Sequence, residues 1–202
     1  MTRYRIVGDV SHLSPYASGS AAPLWWGMAG LIAIEVAVFA ILLASYFHLA
    51  HSSTSWPQGG IPAPELLLPT VNTFVLLGSS LLLHWADTGI AKGDKRRLVV
   101  GMLAASTLAL VFLILKVVEY SDVGYRWDTN AYGSMVWIII GFHSAHVLTL
   151  LLKSVVTSVL SVRGYFTPER RLGVEINGLY WHFVVVVWIP LYLALYWAPR
   201  AL

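Results

Sequence analysis

The sequence of 202 residues contains no cysteine, and only 11% of its residues are charged. Without cysteine the chain cannot form disulfides or iron–sulfur clusters, and it cannot supply thiolate ligands to zinc or copper. Soluble domains average about 25% charged residues, so an ordinary soluble globule is excluded. Disorder is excluded as well, because disordered chains combine low hydrophobicity with high charge. The formal net charge is a small +3, and nucleic acid is not an expected partner.

Hydrophobic residues make up 57% of the chain and are concentrated in five long runs. Each run has the roughly 20 mostly apolar residues that a membrane-spanning helix needs. The predicted helices cover residues 23–47, 69–90, 98–118, 132–160 and 174–197. We therefore predict an all-α, polytopic membrane bundle of five helices over residues 23–202. Before the fifth run, Thr167, Pro168 and Glu169 have the pattern of an N-cap, a first helical residue and an acid at the positive end of the helix dipole.

Basic residues in the connecting segments predict the orientation of this bundle. Nine of them belong to segments on one side of the membrane: Arg3, Arg5, Lys92, Lys95, Arg96, Arg97, Arg163, Arg170 and Arg171. The segments on the other side contain Arg126 and Arg200. Because basic residues concentrate in cytoplasmic loops, residues 1–22 are expected in the cytoplasm and the C-terminus outside. Lys116 and Lys153 lie near the ends of predicted helices, so their side chains can extend toward the membrane surface.

Four ionisable side chains are predicted to lie inside the spans, where such groups are costly and often functional. They are Glu35 on the first helix, His143 and His146 on the fourth, and His182 on the fifth. Glu35 and His146 are expected near the membrane midplane, and we predict a hydrogen bond between Glu35 and a histidine of the fourth helix that fixes the two helices together. Two other interpretations stay open: a proton-relay or lipid-binding role for Glu35, and haem or metal ligation by histidines of the fourth and fifth helices.

Two stretches of the sequence resemble motifs of one known family. Residues 141–147 read GFHSAHV, and residues 180–188 read YWHFVVVVW. They resemble the GFHxxHV and YWHFVDVVW motifs of subunit III of haem-copper oxidases. In the second stretch, Tyr180, Trp181 and Trp188 stand at family positions.

Further positions agree with that family in order and spacing: Glu35-Val36 with Phe39, Asn72-Thr73, Glu119-Tyr120, and residues 166–169. Two positions depart from it, because Val185 stands where the family has aspartate and Ile34 where it has serine. The five predicted helices are similar to the short bacterial form of the subunit. That form lacks the first two helices and part of the V-shaped lipid cleft that they frame.

The resemblance implies a function without a redox centre or a catalytic residue in this chain. It implies an integral subunit of a bacterial haem-copper terminal oxidase, which couples oxygen reduction to proton translocation in the aerobic respiratory chain. The chain would support the stability, lipid environment and proton uptake of the catalytic subunit I. Haem and copper are expected in partner subunits, and the partners are subunit I, subunit II, small subunits, membrane phospholipids and a respiratory supercomplex. The location would be the bacterial inner membrane.

Two other functions stay open on the sequence. Short chains of this kind also resemble an accessory protein of nitric oxide reductase. A small membrane transporter that uses Glu35 as its proton site is the third hypothesis. The proteins that co-purify with the chain distinguish the three.

Overall fold

The structure, a computed structural model, describes residues 18–201 as a bundle of long helices. Its five α-helices are α1 (Pro23–Ser52), α2 (Leu67–Ala91), α3 (Lys95–Ser121), α4 (Ala131–Val162) and α5 (Leu172–Tyr192). After α5 the chain continues through a π-helical turn, Leu193–Trp197, and a 3-10 turn, Ala198–Arg200. Five helices are long and apolar enough to cross a membrane, and residues 18–201 contain no strand.

The predicted all-α membrane bundle of five helices is therefore confirmed. The orientation of its termini stays a prediction, and residues 1–17 of the predicted cytoplasmic segment lie outside the described residues. Most helices extend several residues beyond the predicted apolar runs. α1, for example, continues to Ser52, because the polar residues after the apolar run can also be helical.

Side-chain caps fix the beginnings of α3 and α4. Asp94 accepts a hydrogen bond from the Arg97 backbone N–H at 2.9 Å, and Asn130 accepts one from the Gly133 N–H at 2.9 Å. Each cap satisfies a backbone donor that the first helical turn leaves without a partner. Between α2 and α3 the chain reverses over three residues at Gly93, whose φ of 82° favours glycine. α2 and α3 are therefore antiparallel neighbours.

α5 begins at Leu172, two residues before the predicted apolar run 174–197 but five residues after the predicted N-cap at Thr167. The Thr167 hydroxyl accepts a hydrogen bond from the Arg170 N–H at 3.1 Å and closes a local turn instead of capping the helix. The acid in the first turn of α5 is Glu175, which accepts from Arg171 Nε at 2.8 Å and from the Gly19 N–H at 2.8 Å. The expected start at Thr167 is thus wrong, because its hydroxyl is used within the loop.

α5 lies in the middle of the bundle and packs against α1, α2 and α4, while α3 packs against α2 and α4. Successive helices alternate in direction. The end of α2 meets the start of α3, where Arg97 Nε donates to the Trp85 carbonyl at 2.8 Å, and the start of α5 meets the segment before α1. We call this the proximal end of the bundle; α1, α3 and α5 begin there, and α2 and α4 end there.

Candidate functional site: buried polar contacts between the helices

Glu35 of α1 and His146 of α4 form a hydrogen-bonded pair within the bundle. Glu35 Oε2 lies 2.8 Å from His146 Nε2, and the two side chains are 20% and 8% exposed, respectively. The predicted hydrogen bond between Glu35 and a histidine of the fourth helix is confirmed. The structure therefore links α1 to α4 through a polar contact in an otherwise apolar region.

The second ring nitrogen of His146 determines how the pair is protonated. His146 Nδ1 lies 2.7 Å from the carbonyl oxygen of Phe142, which can only accept a hydrogen bond. Nδ1 therefore carries a hydrogen and donates it. The contact between Nε2 and Glu35 then requires one further proton, either on the carboxyl or on Nε2. In both forms the pair shares a single proton and has no net charge.

Aromatic side chains surround this pair. The ring of Phe142 lies 4.5 Å from the ring of His146, and the ring of Phe39 lies 5.2 Å from it. Phe39 is itself buried and also contacts Phe142 at 5.1 Å. Because these rings exclude water on the bundle side, the hydrogen bond lies in surroundings of low dielectric, where an unpaired polar group is costly.

His143 makes a separate contact between α4 and α5. It is fully buried, and its Nε2 donates to the Val184 carbonyl at 3.1 Å. Its ring packs against Trp188 at 4.7 Å and Phe112 at 5.8 Å. The other ring nitrogen, Nδ1, has no hydrogen-bond partner among residues 18–201. His143 therefore joins three helices without hydrogen-bonding to Glu35.

His182 lies on another side of α5, facing α2. Its Nδ1 is 2.6 Å from the Ser80 hydroxyl, and its ring lies 6.2 Å from that of His84. The three histidines singled out from the sequence thus hydrogen-bond to three different helices, His146 to α1, His143 to α5 and His182 to α2, and are not brought together. Within the described part of the chain, no group of three or more His, Asp or Glu side chains is placed to hold a metal ion.

Lys116 is buried within the bundle, although a position near a helix end would let it extend toward the membrane surface. Its side chain is only 4% exposed, and Nζ lies 2.7 Å from Glu119 Oε2 and 2.8 Å from the Tyr196 hydroxyl. Tyr196 also donates to Glu119, and Nζ lies 4.7 Å from the centre of the Trp188 ring. The spacing of Lys116 and Glu119 at i, i+3 allows the ion pair. The partner Tyr196 is far away in sequence, so the burial could not be predicted.

Three family-motif positions connect α5 to α2. Trp188 Nε1 donates to the Thr73 hydroxyl at 2.9 Å, and that hydroxyl donates in turn to the Pro69 carbonyl at 2.8 Å. Seven residues earlier on α5, Trp181 Nε1 donates to the Ser79 hydroxyl of α2 at 3.1 Å. These buried indoles have their N–H groups satisfied, as buried tryptophans usually require.

Two more family-motif positions are also buried. The Asn72 amide donates to the Phe112 carbonyl at 3.1 Å and so connects α2 to α3. Tyr180 lies beneath Lys153, whose Nζ is 4.3 Å from the centre of its ring. His84 and Asp87 were not predicted as site residues, although both lie within the predicted span 69–90.

Taken together, these contacts define a class of protein: a multi-pass membrane protein whose helices are fixed to one another by buried polar side chains. The sequence profile of the family described as cytochrome c oxidase subunit III matches residues 6–199. The chain is 30% identical to cytochrome c oxidase subunit 3 of Papio hamadryas, over 98% of this chain and 79% of that protein.

The corresponding proteins of Marchantia polymorpha and Bos taurus are each 32% identical to it, over 86% of this chain and 68% and 69% of theirs, respectively. The chain belongs to the cytochrome c oxidase subunit III family. The resemblance found in the sequence motifs is confirmed. As a member of this family, the chain is a membrane subunit of a terminal oxidase and has other oxidase subunits as partners.

Proposed function

We propose that the chain is a non-redox integral subunit of a bacterial haem-copper oxidase in the inner membrane, with its N-terminus in the cytoplasm. Membership of the subunit III family supports this assignment, and so does the lack of cysteine ligands for a copper centre in the sequence. In this proposal, haem and copper belong to the catalytic subunit I and to subunit II. The chain itself contributes no catalytic residue.

The contact between Glu35 and His146 is the observation that supports a structural role for the subunit. It connects α1 to α4 at 2.8 Å, and its bundle side is closed by Phe39 and Phe142. A proton held between two such groups has no aqueous path on that side. We therefore assign Glu35 to positioning α1 rather than to conducting protons, and the subunit to maintaining the structure and lipid environment in which subunit I takes up protons.

Purification from the native membrane tests the assignment. An affinity-tagged chain should retain a complex that shows haem absorbance and reduces oxygen, while the untagged strain gives neither in the eluate. A complex that reduces nitric oxide instead would favour the nitric oxide reductase alternative. A haem-free oligomer of the chain alone would contradict the proposal and favour a transporter.

A strain without the chain tests the supporting role. If the subunit maintains subunit I, the remaining complex should begin with nearly normal oxygen consumption and lose activity faster over repeated turnovers. Reintroducing the intact chain should restore the lifetime. Immediate loss of all activity, with subunit I present at its normal level, would show instead that the chain takes part directly in the reaction.

A further inference from the structure

His84 of α2 is an exposed titratable side chain deep within a span. Among residues 18–201, it is the one exposed titratable side chain that lies more than five residues from either end of its helix. It precedes Ala91, the last residue of α2, by seven residues, or about 10 Å along the helix axis. α2 has 25 residues, about 37 Å in length, and the hydrocarbon core is about 30 Å thick. His84 therefore lies several ångströms inside the hydrocarbon region.

Asp87 lies one turn further along the same face of α2. Its half-buried carboxylate has no hydrogen bond and no ion pair in the described part of the chain, and the His84 ring has no hydrogen bond there either. Asp87 interacts electrostatically with Glu175 and Arg171 near the start of α5, and with His84 and His182. The Arg171 guanidinium, however, is hydrogen-bonded to Glu175 at 2.8 Å.

These residues form one continuous polar surface. On α2 it contains Ser80, His84 and Asp87 at spacings of four and three residues, which lie on one helix face. On α5 it contains His182, which is 2.6 Å from Ser80 and faces the His84 ring. We call this surface the α2–α5 polar strip. It contrasts with the exposed outer faces of α3 and α4, where residues such as Leu103, Leu148 and Leu152 are suited to lipid.

Lipid tails cannot form hydrogen bonds or ion pairs with the polar side chains of this surface. Ionisable side chains within a membrane almost always face protein or water, because contact with hydrocarbon is costly. A phospholipid headgroup remains at the bilayer surface and cannot reach His84 at its depth. A protein helix can present polar side chains at any depth. The strip also has a formal negative charge at Asp87 when its imidazoles are neutral, so its complement is a cation.

We infer that the α2–α5 polar strip is the docking surface for a transmembrane helix of another subunit. That helix presents an arginine or lysine to Asp87 and a hydrogen-bonding side chain to His84. The inference rests on the proposed function only for the identity of the complex. The location of the surface follows from the exposure and depth of His84 and from the absence, among residues 18–201, of hydrogen bonds to His84 and Asp87.

Site-specific photo-crosslinking in intact membranes tests the location. Leu81 lies one turn from His84 on the same face, and Leu152 lies on the outer face of α4. The two leucines are 73% and 62% exposed, and each lies ten residues before the end of its helix at the proximal end. A photoreactive phenylalanine at position 81 should crosslink to another subunit of the complex in clearly higher yield than one at position 152. Lipid adducts alone at 81, dimers of this chain, or equal yields at the two positions would overturn the inference.

Charge substitution tests the chemistry of the contact. Asp87→Asn should lower the fraction of partner subunits retained in detergent roughly tenfold, because it removes the charge from a contact in the membrane, and Asp87→Arg should abolish retention. Asp128→Asn is the matched control, since Asp128 is an exposed carboxylate in the loop before α4. Thermal unfolding of each purified variant shows whether the chain itself is folded.

The outcomes separate the two proposals. A wild-type chain that retains no haem-containing partner contradicts the proposed function. A wild-type chain that retains its partners while folded Asp87→Asn and Asp87→Arg variants retain them equally well contradicts the docking surface alone. If Asp87→Arg is unfolded, the comparison of Asp87→Asn with Asp128→Asn and the crosslinking at position 81 still decide the question.

Discussion

His146 donates from Nδ1 to the carbonyl of Phe142, four residues earlier, and this leaves only Nε2 to contact Glu35. The tautomer of the histidine is thus set by its own helix. Glu35, on a different helix, must accommodate it by sharing a proton with Nε2. This relationship determines what each substitution of Glu35 does.

Glu35→Gln should preserve the contact, because the glutamine amide can donate to Nε2. Assembly and the initial rate of oxygen consumption should remain close to wild type. Glu35→Ala leaves Nε2 without its partner at a cost of roughly 1–3 kcal/mol, so this subunit should dissociate more readily in detergent. Retention of the chain and the initial oxygen-consumption rate of the complex measure both effects. A proton relay gives the opposite ranking: Glu35→Gln would stop proton translocation at once while the subunit stays bound.

Thr73→Val should destabilise the connection between α2 and α5. Valine has nearly the shape of threonine but cannot accept from Trp188, whose indole N–H is then buried without a partner at a cost of about 1–3 kcal/mol. The unfolding temperature of the purified chain should fall by roughly 2–12 °C for a chain of this length. Thr149→Val is the control, because the exposed Thr149 hydroxyl only donates to the Ala145 carbonyl of its own helix. Equal effects of the two substitutions would contradict the assigned contact.

Lys116→Met should be strongly destabilising, because it leaves Glu119 without its cation near the end of α3. Breaking a buried ion pair from one side costs about 3–5 kcal/mol. Lys116→Met combined with Glu119→Gln removes both charges and should recover part of that loss, since paired residues couple in a double-mutant cycle. Chemical unfolding in detergent of the wild type, the two single variants and the double variant measures the coupling. Strictly additive effects would show that the two side chains do not form the pair.

The orientation can be tested with single cysteines, because the chain has none of its own. A cysteine at Ser52, at the end of α1, should react with an impermeant thiol reagent in intact cells. A cysteine at Lys92, in the reversal between α2 and α3, should react only after the cells are opened. Lys92 is chosen because the adjacent Gly93 has a φ of 82° that other residues rarely adopt. The reverse labelling pattern would contradict the predicted cytoplasmic N-terminus.

The sequence predicted the five helices and the contact of Glu35 with α4 because both depend on distances along the helix axis, which the sequence alone gives. The length of an apolar run fixes a span, and the distance of Glu35 and His146 from their helix ends places them at similar depths. Depth alone could not distinguish His146 from His143. That choice depends on the rotation of α4, which turns His143 toward Val184 instead.

Contacts between distant segments could not be predicted in this way. Lys116 has the sequence pattern of a lysine near a helix end, and its burial depends on Tyr196, which lies beyond Pro190 in the π-helical turn that follows α5. His84 could have been identified, because it lies inside a predicted span. The exposure of the His84 side chain could not be predicted, since it depends on which face of α2 packs against α3.

The neutrality of the pair of Glu35 and His146 makes it insensitive to the membrane voltage. Moving one elementary charge across the whole membrane is worth about 2.3 kcal/mol per 100 mV. A proton that moves between Glu35 Oε2 and His146 Nε2 travels less than the 2.8 Å that separates them. Over a hydrocarbon thickness of about 30 Å, this corresponds to at most about 0.2 kcal/mol per 100 mV. The strength of the contact between α1 and α4 therefore changes by no more than about 0.2 kcal/mol per 100 mV when the membrane is energised.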